Sequence, residues 1–249
     1  MTTYIFNLDG TNITNGEPLN SNFVEAIFSL EDSARIIFTS VRPVRDLLPL
    51  LPHELRDCLM IGSHGAVAWQ QGEYLHTTPF EAGAAHKILD WLQQHQVPYI
   101  LEGIWSFSTS AVAHPFHADM RNLTDGEIKE SDLINQGISK ILILSSEFRT
   151  QIDRFLLKEG FEYSLHHHQH NDIFDISPGQ ANKYQVLKML GVDFNHTIAF
   201  GNDRSDFEIL NNAGISIFTG EPHYYAGASH YCKTEALPAL LNEFSTIQE

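Results

Sequence analysis

The sequence of 249 residues predicts an α/β protein with a Rossmann-like parallel-sheet core and an inserted α+β domain. Segments 3–8 and 34–40 are apolar runs rich in β-branched and aromatic side chains, and a helix-like segment at 23–31 separates them. Continuous apolar strands that alternate with helices are typical of a parallel sheet covered on both faces. The middle of the chain lacks this regular alternation of strands and helices, which indicates an inserted domain.

The predicted core continues along the chain in two parts. The first part continues with an apolar segment at 44–52, a strand at 58–63 and a hairpin at 66–77 that turns at Gly72. The second part contains a helix at 184–192, a strand at 196–202, a helix at 207–214, a strand at 215–220 and a last helix at 234–245.

The middle of the chain mixes helices with strands in quick succession. We predict helices at 86–95 and 147–159, and strands at 97–103, 105–110, 138–146, 161–169 and 172–177. Such a mixture is typical of an α+β unit. We therefore assign 79–178 to the insert and 1–78 with 179–249 to the core.

Composition excludes some classes of partner. The formal charge of −16 and the pI near 5.2 argue against nucleic acid, whose binding depends on lysine and arginine. No apolar run reaches the roughly 18–20 residues needed to span a bilayer, and the first residues do not resemble a secretory signal. Two cysteines, Cys58 and Cys232, fit a reducing compartment. We expect a cytoplasmic protein.

Polar side chains cluster at predicted strand ends and helix starts. In open α/β sheets, ligands bind outside the carboxyl ends of the strands. Taken singly, each cluster has an ordinary alternative, such as a turn or an exposed lysine on a helix. The clusters are Asn7 with Asp9, Thr39 and Ser40 with Arg42, Asn182 with Lys183, and the segment 201–206.

The order and residue types of these clusters resemble the four motifs of the haloacid dehalogenase superfamily, particularly its Cof-type sugar-phosphatase branch. The matching stretches are "NLDGT" at 7–11, Ser40 in "FTSVRP", Lys183 in "ANKYQVLKML" and "GNDRSD" at 201–206. The resemblance implies a magnesium-dependent phosphatase that acts on a small phosphorylated metabolite such as a sugar phosphate. It also implies that the insert is a cap domain.

The resemblance implies a role for each motif residue. Asn7 occupies the nucleophile position, and Asp9 is the general acid and base, with its backbone carbonyl as a metal ligand. Gly10, Ser40 and Lys183 would bind phosphate, whereas Arg42 is expected to be a structural charge. The implied ligands of Mg²⁺ are Asn7, Asp9, Asn202, Asp203 and Asp206.

Four departures from the family pattern bear on activity. Asn7 and Asn202 stand where the motifs carry aspartate, Ser205 replaces an asparagine, and His64 stands where family loops often have asparagine. An amide has no anionic oxygen, so Asn7 is unable to form an aspartyl-phosphate. The chain is then a slow or altered enzyme, a phosphatase whose aspartate was replaced by design, or an inactive protein that binds a phospho-ligand or a partner.

Two further segments carry candidate binding residues. Trp105, His114 and His117 lie in a loop-like stretch and are predicted to face the substrate, although Trp105 also suits the core of the cap. His166, His168 and His170 would share one face of a strand. Such a face is usually solvated, but it could hold zinc or nickel if the imidazoles converge.

Overall fold

The computed structural model describes residues 1–10, 17–30, 34–167 and 172–247, with side chains described up to residue 244. The described strands are β1 (Thr3–Asn7), β2 (Arg35–Thr39), β3 (Leu59–Gly62), β4 (Val67–Gln70), β5 (Glu73–Thr77), β6 (Tyr99–Glu102), β7 (Phe107–Thr109), β8 (Lys140–Ile143), β9 (Tyr163–His167), β10 (Phe174–Pro178), β11 (Thr197–Gly201), β12 (Ile215–Phe218) and β13 (His230–Tyr231).

The described helices lie between these strands. The α-helices are α1 (Ser21–Phe28), α2 (Val44–Leu47), α3 (Ala82–Gln94), α4 (Pro115–Leu123), α5 (Glu130–Gln136), α6 (Arg149–Glu159), α7 (Lys183–Met189), α8 (Phe207–Asn212) and α9 (Leu237–Ile247). Short 3₁₀ helices span Leu48–Leu50, His53–Leu55, Ser63–Gly65, Ser146–Phe148, Phe194–His196, Arg204–Asp206 and Thr234–Ala236.

The larger sheet has the order β13-β12-β11-β1-β2-β3-β4-β5. Its strands run parallel from β13 to β3, and the hairpin of β4 and β5 continues it antiparallel. Helices flank a predominantly parallel sheet, which confirms the predicted α/β class. Because β1, β2 and β11 run parallel, their carboxyl ends meet at one edge of the sheet.

Apolar side chains on both faces of this sheet anchor its central strands. Phe6 stacks on Phe200 at 4.7 Å between ring centroids, and both rings are buried. Ile5 and Ala199 belong to the cluster on the opposite face. Alternate side chains of β1 thus enter two separate cores, and this is why its three middle residues are all apolar.

The second sheet has the order β7-β6-β8-β10-β9 and is antiparallel throughout. One of its faces packs with α3 and α6 around Tyr99, Ile141 and Phe174. This arrangement has the character of the α+β insert that the sequence predicts. The exact bounds 79–178 stay a prediction.

The stretch that carries Trp105, His114 and His117 was predicted to be loop-like. This prediction was wrong for the second half of the stretch, which forms α4. Pro115 occupies the first turn, where its missing N–H costs no helical hydrogen bond, and the His114 side chain accepts from Phe116 N–H. A histidine is an unusual helix cap, so the start signal was weak. Helix α5 and strand β13 are also additions to the predicted elements. No helix in the described ranges has the length and apolar character needed to cross a bilayer.

Candidate active site

Four of the predicted clusters converge at the carboxyl edge of the larger sheet. Asn7 ends β1, Thr39 ends β2 and pairs with Asn7 in register, and Gly201 ends β11. Lys183 reaches the same edge from the start of α7. The fold therefore brings together residues that are up to 195 positions apart.

Asn7 is fully buried and makes three hydrogen bonds with described residues at this edge. Its Nδ2 donates to Asn202 Oδ1 at 2.7 Å and to the backbone carbonyl of Asp9 at 3.1 Å. Its Oδ1 accepts from Lys183 Nζ at 3.3 Å. The ammonium group fixes the orientation of the amide, because the opposite orientation would point N–H groups at a cation.

Lys183 is a buried cation whose donors are directed within the site. Asn182 caps α7 by accepting from Gln185 N–H, and this places Lys183 in the first turn. Nζ donates to Asp206 Oδ1 and to Ser205 Oγ, both at 2.9 Å. Burial alone would lower the pKa of Lys183, but the negative charges of Asp206, Asp203 and Asp9 together outweigh burial and hold the pKa above its ordinary value. Lys183 is thus a fixed positive charge beside Asn7.

The Asp9 carboxylate lies in a set of converging donors, which we call the anion cradle: Ser40 Oγ, Val41 N–H and Arg42 Nε. The Ser40 hydroxyl and the Val41 N–H, at 3.3 Å, donate to Oδ2. Arg42 Nε donates to Oδ1 at 2.5 Å. Arg42 is thus a direct neighbour of the predicted acid and base, a closer role than the sequence suggested. Three donors from one short loop hold a single anionic group.

The segment 201–206 forms a turn at the end of β11 that is held by its own hydrogen bonds. Asp203 accepts from Ser205 N–H, while Asp206 Oδ2 accepts from the N–H groups of Asn202 and Asp203. Burial opposes the charge of Asp203, yet Lys183 and Ser205 hold its pKa below the ordinary value. Both carboxylates therefore already serve as acceptors inside the turn.

Gly10 provides the close approach between the first and last motifs. Its φ of +69° lies in the left-handed region, and a Cβ there would lie 2.3 Å from Asn202 Nδ2. Only glycine satisfies both conditions without displacing Asn202. This is a structural reason for glycine at position 10.

The side chains present do not match a magnesium site well. Mg²⁺ prefers hard, largely anionic oxygen ligands in octahedral geometry. Asn7 directs N–H groups, not lone pairs, at Asn202 Oδ1 and at the Asp9 carbonyl. Throughout the described ranges, no three His, Cys, Asp or Glu side chains form a group suited to a metal ion.

The predicted cap residues have partners inside the second sheet and its surroundings. His117 is buried and its Nε2 donates to the Tyr99 carbonyl at 3.2 Å, while His114 caps α4. Trp105 is 44% exposed, and its carbonyl accepts from Arg45 Nη1. Contact of these three residues with a substrate stays a prediction.

A second polar group joins the two sheets next to the site, and sequence reasoning missed it. This His64 cluster comprises His64, Lys140, His166 and Asp175. His64 Nε2 lies 2.7 Å from Asp175 Oδ2, and its ring stacks on that of His166 at 3.7 Å. Lys140 Nζ donates to the Val41 carbonyl at 3.3 Å and lies 3.6 Å from Asp175 Oδ1. The cluster thus reaches the loop that carries the anion cradle.

The Ser63–Gly65 turn couples this cluster to the site. The His64 N–H donates to the Ser40 carbonyl at 3.4 Å, and a Cβ on Gly65 would lie 2.4 Å from the Asn182 backbone. His64 adopts a left-handed φ of +59°. The sequence signals were this unusual histidine and Asp175, which lies between the apolar residues Phe174 and Ile176.

A third contact between the sheets is the buried ion pair of Arg45 with Glu102. Arg45 Nη2 lies 3.0 Å from Glu102 Oε2, and Arg45 Nε donates to Asp46 at 2.7 Å. The guanidinium also lies 5.0 Å from the centroid of the Phe107 ring. Charged side chains are seldom fully buried unless they are paired. The Arg45–Glu102 ion pair therefore joins the two sheets at one defined position.

Of the three histidines that the sequence places on one strand face, His166 lies within the described residues. His166 Nε2 contacts Ser177 Oγ at 2.9 Å, and burial together with His64 lowers the pKa of His166 to about 3. His168 and His170 lie outside the described residues. The zinc or nickel hypothesis for the three imidazoles stays untested.

The fold and the site together define a class of protein: an α/β core whose parallel strands end at a polar site, with a second, antiparallel sheet that contacts this edge. Residues 4–232 match the family described as haloacid dehalogenase-like hydrolase. The chain therefore belongs to the haloacid dehalogenase-like hydrolase family.

Solved structures share this fold at low sequence identity. TM0651 from Thermotoga maritima superposes with a TM-score of 0.82 at 13% identity, covering 97% of each chain. The sugar phosphatase BT4131, described as subclass IIB, gives 0.78 at 15%, covering 98% of this chain and 99% of its own. The phosphatase BT1666 from Bacteroides thetaiotaomicron gives 0.76 at 14%, covering 100% and 95%. No curated protein matches the sequence.

Proposed function

We propose that this chain binds a small phosphorylated metabolite at the carboxyl edge of the larger sheet and hydrolyses it slowly, if at all. The observation that carries the proposal is the anion cradle, in which Ser40, Val41 and Arg42 converge on one carboxylate. A phosphate group offers oxygen acceptors of the same kind and more negative charge. It would take the place of the Asp9 carboxylate in the cradle.

Lys183 supports the same conclusion. Its buried ammonium group lies beside Asn7, at the position where the resemblance expects a reacting phosphorus to bind. A fixed cation in a buried site attracts an anion more strongly than one exposed to water, because screening is weaker. The cradle and Lys183 would therefore hold opposite sides of one phosphate group.

The second sheet is proposed to act as a cap over this site, with bounds near 79–178. Its Lys140 reaches the Val41 carbonyl, and its Asp175 contacts His64 of the larger sheet. A cover in this place would exclude water and contact the remainder of the metabolite. The relative BT4131 is described as a sugar phosphatase, so we propose sugar phosphates as the first ligands to test. A cytoplasmic location stays a prediction.

A second candidate function is the magnesium-dependent phosphatase implied by the resemblance. It is favoured by the joint presence of Asp9, Ser40 and Lys183 at one edge. The residues that the resemblance assigns to the cation would hold it, and the cation would neutralise charge on the transferring phosphoryl group. Asn7 argues against efficient turnover, since its carbonyl carries no charge and its amide nitrogen is engaged in two hydrogen bonds.

Hydrolysis of p-nitrophenyl phosphate by the unaltered chain and by Asn7→Asp tests both candidates. We expect the unaltered chain to be slower by at least about a thousandfold, the usual scale for loss of a nucleophile, while both forms bind the ester in calorimetry. Asn122→Asp, a matched charge change at an exposed position on α4, serves as the control. Efficient turnover by the unaltered chain would establish the second candidate, and failure of both forms to bind would refute a phosphate site.

A further inference from the structure

The Asn7 amide nitrogen lies between two oxygen atoms of residues that the family resemblance assigns to magnesium. These atoms are Asn202 Oδ1, at 2.7 Å from Asn7 Nδ2, and the backbone carbonyl oxygen of Asp9, at 3.1 Å. An amide nitrogen offers two N–H donors, and both are accounted for by these acceptors. The NH₂ group therefore makes the link that a cation makes between oxygen ligands.

The surrounding contacts fix this arrangement. Lys183 Nζ donates to Asn7 Oδ1, and Gly10 leaves room for Asn202 Nδ2. Asn7 is fully buried, so a rotated amide would leave polar atoms without partners. With aspartate at position 7, the same place would hold a carboxylate facing two oxygen acceptors, and that arrangement needs a cation.

The charges of the site give an independent argument. In the described part of the site, the carboxylates of Asp9, Asp203 and Asp206 face the cations Arg42 and Lys183. Aspartate at positions 7 and 202 would add two negative charges, and one Mg²⁺ ion would cancel both. The two asparagines thus give the metal-free site the net charge that the metal-loaded aspartate form would have.

We propose that this site holds its phosphate ligand without a divalent cation, with the Asn7 amide linking Asn202 Oδ1 to the Asp9 carbonyl oxygen. The inference rests on the proposed phosphate-binding function for its ligand, but the absence of a magnesium requirement follows from the Asn7 and Asn202 contacts alone. The expected ligand class is a phosphate monoester dianion held by the anion cradle and Lys183. The binding of such a ligand is then insensitive to chelators.

Two calorimetric titrations test this inference separately. In the first, magnesium chloride alone is added to the full chain, and we expect no saturable heat. In the second, inorganic phosphate is added in EDTA and again in magnesium chloride, and we expect equal affinities. Saturable magnesium binding at one equivalent, or phosphate binding that requires magnesium, would overturn the inference.

The double variant Asn7→Asp with Asn202→Asp tests the opposite case, a site whose phosphate binding should depend on magnesium. Two added negative charges near the ligand should weaken phosphate binding in EDTA by at least about tenfold, and magnesium should restore it. Asn202 is only partly buried, so the single variant Asn202→Asp should fold even if the double variant does not. It should bind magnesium more tightly than the unaltered chain.

The outcomes separate this inference from the proposed function. If the unaltered chain binds neither magnesium nor phosphate, the proposed function fails while the metal-free nature of the site is supported. If it binds phosphate only with magnesium, the proposed function is supported and the inference fails. Recovery of the magnesium response in the double variant shows that the rest of the site is intact.

Discussion

The candidate active site and the His64 cluster are neighbouring buried polar groups, but sequence motifs mark only the active site. The active site joins residues from four short motifs, each readable at the end of a strand or the start of a helix. The His64 cluster joins His64 to Asp175 across 111 positions, and no motif marks it. Both are buried, but one is organised around the charge of Lys183 and the other around a largely neutral imidazole stack.

This difference indicates how each group responds to change. In the active site, Arg42 is paired with Asp9 and Lys183 with Asp206. Removing one member of a buried pair leaves the other charge unpaired. In the His64 cluster, burial lowers the pKa of His64, so its imidazole is the neutral partner of Asp175 and His166. Three predictions test this contrast, in order of decreasing effect.

Removal of the Lys183 charge should have the largest effect. Lys183→Met leaves Asp206 buried without its cation, and breaking a buried pair in this way typically costs about 3–5 kcal/mol. Urea unfolding at neutral pH measures the change in free energy of unfolding. Lys188→Met, an exposed position on the same helix, is the control and should change little. A loss for Lys183→Met no greater than that of the control would show that the pair contributes nothing.

Replacement of His64 should have an intermediate effect. His64→Asn keeps a residue that tolerates the left-handed φ but removes the ring stack and the contact with Asp175. We expect a loss of about 2 kcal/mol in the free energy of unfolding, the scale for leaving a buried polar partner unsatisfied. His53→Asn at an exposed position is the matched control. If phosphate affinity falls as well, the cluster also positions the anion cradle.

Acid sensitivity should be the most specific effect, and at the neutral pH of the other two measurements it should be the smallest. The pKa of His166 is lowered from 6.5 to about 3 in the folded chain, so the unfolded chain binds the extra proton between these values. Stability is therefore full above about pH 6.5 and falls as the pH decreases towards 3, by up to about 1.4 kcal/mol per pH unit for one proton.

A pair of variants isolates this contribution. His166→Gln should flatten the dependence of the unfolding free energy on pH, whereas His167→Gln, at the exposed next position of β9, should leave it unchanged. Equal slopes in the two variants would assign the acid sensitivity to other groups, such as His64. The comparison also reports whether the neutral stack persists in solution.

The sequence by itself predicted the fold class and most of the residues that meet at the candidate site. Apolar strands alternating with helices are a local signal, and parallel strands deliver their ends to one edge, so Asn7, Ser40, Lys183 and Asp206 were predictable neighbours. The helix α4 escaped prediction because its start depends on a histidine cap and a proline, which are weak signals.

Only the tertiary structure decided which atoms pair. The direction of the Asn7 amide depends on Lys183 and Asn202, and the partner of the anion cradle is Asp9, a contact between side chains 31 to 33 positions apart. The His64 cluster and the Arg45–Glu102 pair depend on how one sheet lies on the other. Local patterns carry strand and helix propensities, whereas hydrogen bonds between distant side chains follow from packing, and this is the physical reason for the division.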